Sequence, residues 1–85
     1  PKNITLSLTN GYGRKVTKIK FNDSGKTLSS KYYSIDKTNS YITFKKSFFK
    51  EFGNNANIKL QIYYNTVSQI IDSNGYTLLT FNIKD

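Results

Sequence analysis

Five carboxylates, seven tyrosines and thirteen cationic side chains are the groups in this 85-residue sequence with types suited to chemistry. There is no histidine, cysteine, methionine or tryptophan. A Ser–His or Cys–His nucleophilic pair is therefore impossible. A zinc, copper or haem site would fall to oxygen ligands alone, which such metals seldom accept. The carboxylates Asp23, Asp36, Glu51, Asp72 and Asp85 are scattered, so their spacing does not mark the acid–base pair of a glycosidase. We expect no catalytic residue, no metal site and no cofactor.

What remains is binding chemistry. Tyrosine rings stack on sugar faces or bases, and lysines hold anions. The net charge of +8 invites a polyanion partner. Yet the cations are spread along the whole chain, and Arg14 is the one arginine among them, whereas specific phosphate and base contacts favour arginine. The plainer account is a solvated lysine surface. Lys18 and Lys20, on one strand face, with Lys59, are the candidate polyanion contacts, since lysine with interleaved tyrosine is what single-strand-binding surfaces use. No OB, RRM or KH signature accompanies them. Gly11-Tyr12-Gly13 is a lone GxG with no helix after it.

The elements that must position these groups are strands. Ile4, Leu6 and Leu8 alternate with Thr5, Ser7 and Thr9, and a turn follows at Asn10-Gly11-Tyr12-Gly13. Thr17, Ile19 and Phe21 then share one face of a second strand, with Lys18 and Lys20 on the other. Asn22-Asp23-Ser24-Gly25 is a turn. Leu28, Tyr33 and Ile35 form the next element, with an irregularity near Ser29-Ser30. After a polar loop at residues 36–40, Ile42 and Phe44 alternate with Tyr41, Thr43 and Lys45.

Phe48, Phe49 and Phe52 sit at helical spacing, with Ser47 placed to cap the start and Gly53 the end. One or two helical turns there would plug the core with rings. Ile58, Leu60, Ile62 and Tyr64 form the cleanest strand, opposite Lys59, Gln61 and Tyr63. Residues 67–71 are weakly strand-like, Asp72-Ser73-Asn74-Gly75 is a hairpin turn, and Leu79, Phe81 and Ile83 close the chain with Tyr76 and Leu78 on their other face. Six or seven short strands with one brief helix give an all-β fold, a two-sheet sandwich or small barrel, as a single module over residues 1–85. The chain opens at Pro1 without a signal peptide or long apolar run, as a mature product or a segment cut from a longer protein would.

Residues 10–52 resemble the X2 modules, immunoglobulin-like domains of cellulosomal scaffoldins and polysaccharide-degrading enzymes, and are similar to carbohydrate-binding family 46. The likeness rests on the alternating strand of residues 4–8 running into Asn10-Gly11, on Leu28 followed by Tyr33 and Ile35, and on Ile42-Thr43-Phe44 leading into Lys46-Ser47-Phe48-Phe49 and Phe52. The final strand, residues 79–85, is also similar. Three departures accompany it: the strand that usually precedes the first alternating segment is absent, the segment between Tyr64 and Tyr76 is long, and Tyr32 stands where the family often has Asp.

The resemblance implies an immunoglobulin-like β-sandwich. It further implies a non-catalytic accessory module of a secreted or cell-surface bacterial protein active on polysaccharide, which binds carbohydrate or cell wall weakly or acts as a spacer beside neighbouring domains. The alternative is a basic single-stranded nucleic-acid or polyanion-binding domain. Tyr33 and Tyr64 are in phase with apolar neighbours and read as core. Tyr12, Tyr32, Tyr41, Tyr63 and Tyr76 are then the candidates for stacking on sugar. No membrane insertion is expected.

Overall fold

Alternating sequence becomes two antiparallel sheets in the computed structural model, which describes residues 2–8, 13–53, 57–66 and 75–82. The strands are β1 (Ile4–Ser7), β2 (Val16–Phe21), β3 (Tyr33–Ile35), β4 (Tyr41–Phe44), β5 (Asn57–Tyr64) and β6 (Thr77–Asn82), with one helix, α1 (Lys46–Phe52), between β4 and β5. One sheet has the order β1-β4-β3 and the other β2-β5-β6. Matched strand for strand, these are the B-E-D and C-F-G orders of the immunoglobulin sandwich.

Each sheet turns its apolar face inward. Ile42 and Phe44 of β4, Ile19 of β2, Ile58, Leu60 and Ile62 of β5 and Phe81 of β6 meet Leu28 and Phe48 in one core. Phe44, Phe48, Ile19, Ile42 and Leu60 are fully enclosed. Burying a side chain of this size stabilises the fold by roughly 1.5–3 kcal/mol, so these five carry a large part of what a small domain can collect. Both Tyr64 and Leu8 are buried with them. Tyr33 is half-buried, and burial raises its phenol pKa.

The chain passes from one sheet to the other three times, and the last two crossovers pack on each other. Between β2 and β3, Leu28 donates its N–H to the Ile19 carbonyl, and a 3₁₀ turn (Ser30–Tyr32) follows. Between β4 and β5 lies α1, whose Phe48 ring stands 5.3 Å from Phe44 and 6.1 Å from Phe81. Tyr32 meets Phe48 and Phe52 edge-on at 6.4 and 5.3 Å, and its carbonyl accepts from Lys45 N. The expected aromatic plug is therefore real, and Tyr32 belongs to it.

Two local expectations are corrected. Ser47 does not cap α1: the N-cap position is Lys45, without a side-chain bond, and the free N–H of Lys46 is taken by Asn3 Oδ1 at 2.8 Å from across the chain. In β2, Thr17 is exposed and Val16 is buried instead. The cause is a β-bulge. Val16 pairs with Tyr64 and Lys18 with Tyr63, so Thr17 is the extra residue between them. The expected weak strand at 67–71, the turn residues 72–74 and Ile83 lie outside the described residues.

Candidate functional site

The most distinctive surface of the domain lies on β2-β5-β6. Lys18 pairs with Tyr63 and Lys20 with Gln61, all on the outer face of that sheet, and the residue left out of the pairing at Thr17 lets Val16 stay buried behind them. The Thr17 hydroxyl closes the bulge by donating to the Tyr63 carbonyl at 3.3 Å. Farther across, Gln61 pairs with Leu78 and Lys59 with Thr80. The three strands thus present Lys18, Lys20, Lys59, Gln61, Tyr63, Leu78 and Thr80 outward, as period-two alternation requires.

These side chains are held. Tyr63 OH donates to Gln61 Oε1 at 2.7 Å, and Gln61 Nε2 donates to Asn22 Oδ1 at 2.9 Å. The Tyr63 ring lies 5.6 Å from that of Tyr76, centroid to centroid. The ammonium groups of Lys18 and Lys20 sit 4.9 and 5.5 Å from the Tyr63 centroid. Each such cation–π contact at an exposed site is worth about 0.5–1 kcal/mol. Leu78 is 51 % exposed on this face, a large apolar side chain half open to solvent. The strands β2, β5 and β6 contain no Asp or Glu.

The other face is chemically different. Thr5, Ser7, Ser34 and Thr43 cover the outside of β1-β4-β3 with hydroxyls, and Thr5 and Thr43 hydrogen-bond to each other at 2.8 Å. Tyr41 projects from it, 53 % exposed. The five tyrosines singled out from the sequence therefore do not form one platform. Tyr63 and Tyr76 are together, Tyr41 is on the opposite sheet, Tyr32 packs in the aromatic plug, and Tyr12 lies outside the described residues. Of the three lysines, Lys18 and Lys20 converge on Tyr63, and Lys59 stands one strand over. The sequence placed Gln61 with Lys59 and Tyr63 and turned Leu78 away from Leu79 and Phe81, but outward phase alone did not mark either as a site residue. Asn22 lies in the turn after β2 and had no phase to read.

A family model described as the haemoglobin-interacting domain of Shr-like haem-binding proteins matches residues 1–72. No curated protein and no solved structure matches the chain. The match spans most of the sequence, and the chain belongs to this Shr-like haemoglobin-interacting family.

Membership overturns the resemblance to X2 modules and carbohydrate-binding family 46, and with it the cellulosomal, carbohydrate-binding and polysaccharide-partner expectations. The physical reason is plain in the core. The residues that carried the likeness, Leu28, Ile42, Phe44, Phe48 and Phe49, are buried, and Tyr33, Ile35 and Phe52 pack against them. They report how an immunoglobulin-like sandwich is filled, and unrelated sandwiches are filled alike. The family is described by an interaction and not by a reaction.

The description attaches haem to the protein and haemoglobin to the domain. Haem fits this domain's described residues poorly. The cleft lined by Leu6, Leu8, Ile62 and Thr77 has a volume of about 180 Å³, and the hollow beside Phe21 and Phe52 about 200 Å³. Small-molecule pockets are usually roughly 300–1,000 Å³. With no His, Met or Cys, tyrosine is the remaining familiar axial ligand. Tyr63 has its hydroxyl engaged by Gln61, and Tyr41 stands on an open sheet face.

Proposed function

We propose, from membership in the Shr-like haemoglobin-interacting family, that this domain is a non-catalytic module that binds haemoglobin as a protein, on the surface of a bacterium. The family match over residues 1–72 is the observation that carries the reading. The absence of His, Cys and Met supports a division of labour in which this domain grips the globin and haem is handled elsewhere. A rigid two-sheet scaffold with one basic, tyrosine-bearing face suits such a role, since tyrosine gives large contact area at low entropic cost.

The test is direct. The purified domain, immobilised, is expected to retain haemoglobin in a saturable manner, and to leave the Soret band of free haemin unchanged when titrated in solution. Absence of haemoglobin binding up to high micromolar concentration would discard the reading. A shifted Soret band would move haem binding into this domain.

A further inference from the structure

We infer that the domain docks through the outer face of β2-β5-β6, and that the surface it accepts is a protein surface bearing carboxylates around an apolar spot; this rests on the haemoglobin-binding reading above. The two outer faces offer a clear choice. The strands of the β1-β4-β3 sheet carry no charged residue, and their outer face is covered by threonine and serine hydroxyls, of which Thr5 and Thr43 bond to each other. The β2-β5-β6 face joins two tyrosine rings and an exposed leucine to three lysines, with no carboxylate in any of its strands.

That arrangement has the layout of a docking surface. Apolar and aromatic groups form the centre of a protein interface and charged groups its rim. Here Tyr63, Tyr76 and Leu78 are the centre. Lys18 and Lys20 lie along β2 on one side, and Lys59 lies farther along β5. An aromatic anchor contributes most when its rotamer is set before the partner arrives, because less freedom is lost on binding. Tyr63 meets that condition: its hydroxyl is tied to Gln61, its ring rests beside Tyr76, and Lys18 and Lys20 approach it.

Charge determines the partner's sign. Lysines with no carboxylate in their own strands give the face a positive field, which speeds the approach of an acidic surface and opposes a basic one. Lys18, Lys59, Leu78 and Thr80 are exposed along this face, which suits the outside of a folded protein rather than an enclosed small ligand. The occupant is therefore an acidic patch on a globular protein, with a shallow apolar depression that receives Leu78 and Tyr76.

The experiment measures haemoglobin binding to the intact 85-residue domain and to three variants by biolayer interferometry at several salt concentrations. The double variant Lys18→Glu with Lys20→Glu is expected to weaken affinity more than tenfold and to flatten its salt dependence. Leu78→Ser should weaken affinity several-fold without changing the salt slope. Thr5→Ala with Ser34→Ala, on the opposite face, should bind as the parent does. Matching melting curves exclude unfolding as the cause. If the parent binds and neither the charge reversal nor Leu78→Ser changes that, the docking face is wrong while haemoglobin binding stands. If the parent does not bind, both fall together. If a single-stranded oligonucleotide binds the parent more tightly than haemoglobin and is lost on charge reversal, the face serves a polyanion and the inference is overturned.

Discussion

Tyr63 and Gln61, two residues apart on β5, hydrogen-bond side chain to side chain at 2.7 Å on the outer face of their sheet. Side chains separated by two on a strand point the same way, so this bond runs along the strand and not across it. Gln61 extends the chain to Asn22 beyond the end of β2, which links two strands through polar groups alone. The effect is to fix a ring that would otherwise be free to swing over an open surface.

Gln61→Leu should reveal what this link is worth. It removes both bonds while keeping an outward side chain of similar length, and is expected to cost about 1 kcal/mol of stability. Haemoglobin affinity should fall several-fold, because the Tyr63 ring is no longer held. Tyr63→Phe loses only its own bond and should cost less on both measures. Urea unfolding with parallel binding curves gives the comparison. Equal midpoints for Gln61→Leu and the parent would show that the link is idle.

The start of α1 offers a second test. Asn3 Oδ1 accepts from Lys46 N at 2.8 Å and takes the part of an N-cap, although it lies 43 residues away in sequence. Asn3→Ala should cost about 1 kcal/mol, the usual range for losing a cap, which for a domain of this size lowers the melting temperature by about 4–8 °C. Ser47→Ala should leave it within error, since Ser47 forms no capping bond. Thermal melts of the two variants discriminate; the reverse ranking would restore Ser47 as the cap.

Acid provides the third. Asp36 organises the turn before β4: Thr38 Oγ1 donates to its Oδ2, and Ser40 N and Tyr41 N donate to its Oδ1. The Thr38 bond first, then the backbone donors, hold its carboxyl below the ordinary aspartate value. A depressed pKa in the folded state means that the stabilisation is complete above the unfolded value of about 4 and is lost as pH falls below it. Asp36→Asn should therefore flatten the loss of stability on the acid side, below about pH 4. Melting temperatures at graded pH measure it, and parallel curves for variant and parent would remove Asp36 from the account.

How far the sequence led is clearest residue by residue. Strand β5 was legible throughout, because Ile58, Leu60, Ile62 and Tyr64 keep strict alternation against Lys59, Gln61 and Tyr63. The aromatic plug was legible from the spacing of Phe48, Phe49 and Phe52. Val16 was not, since a bulge breaks the phase on which such reasoning depends. Asn3 was not, because a cap supplied from 43 residues away leaves no local signature. The nearness of Tyr63 to Tyr76 depends on the register that sets Ile62 opposite Thr77, a long-range fact that composition does not encode. The family could be missed for a related reason: hydrophobic spacing describes how a sandwich is packed and is silent about which outer face meets a partner.

The bulge at Thr17 carries one last implication. Val16 and Ile19 both point into the core although three positions separate them, an odd spacing that a regular strand would send to opposite sides. The extra residue works as a half-step in the reading frame of the strand, keeping its beginning anchored inside while its lysines stay outside. Removing Thr17 would leave Val16 opposite Tyr64 and Lys18 opposite Tyr63 in unbroken alternation, one inside and one outside. What the deletion takes away is the local kink and added twist of β2, together with the hydroxyl that reaches the Tyr63 carbonyl, so the bulge governs the angle at which the lysines are offered and not which side they occupy.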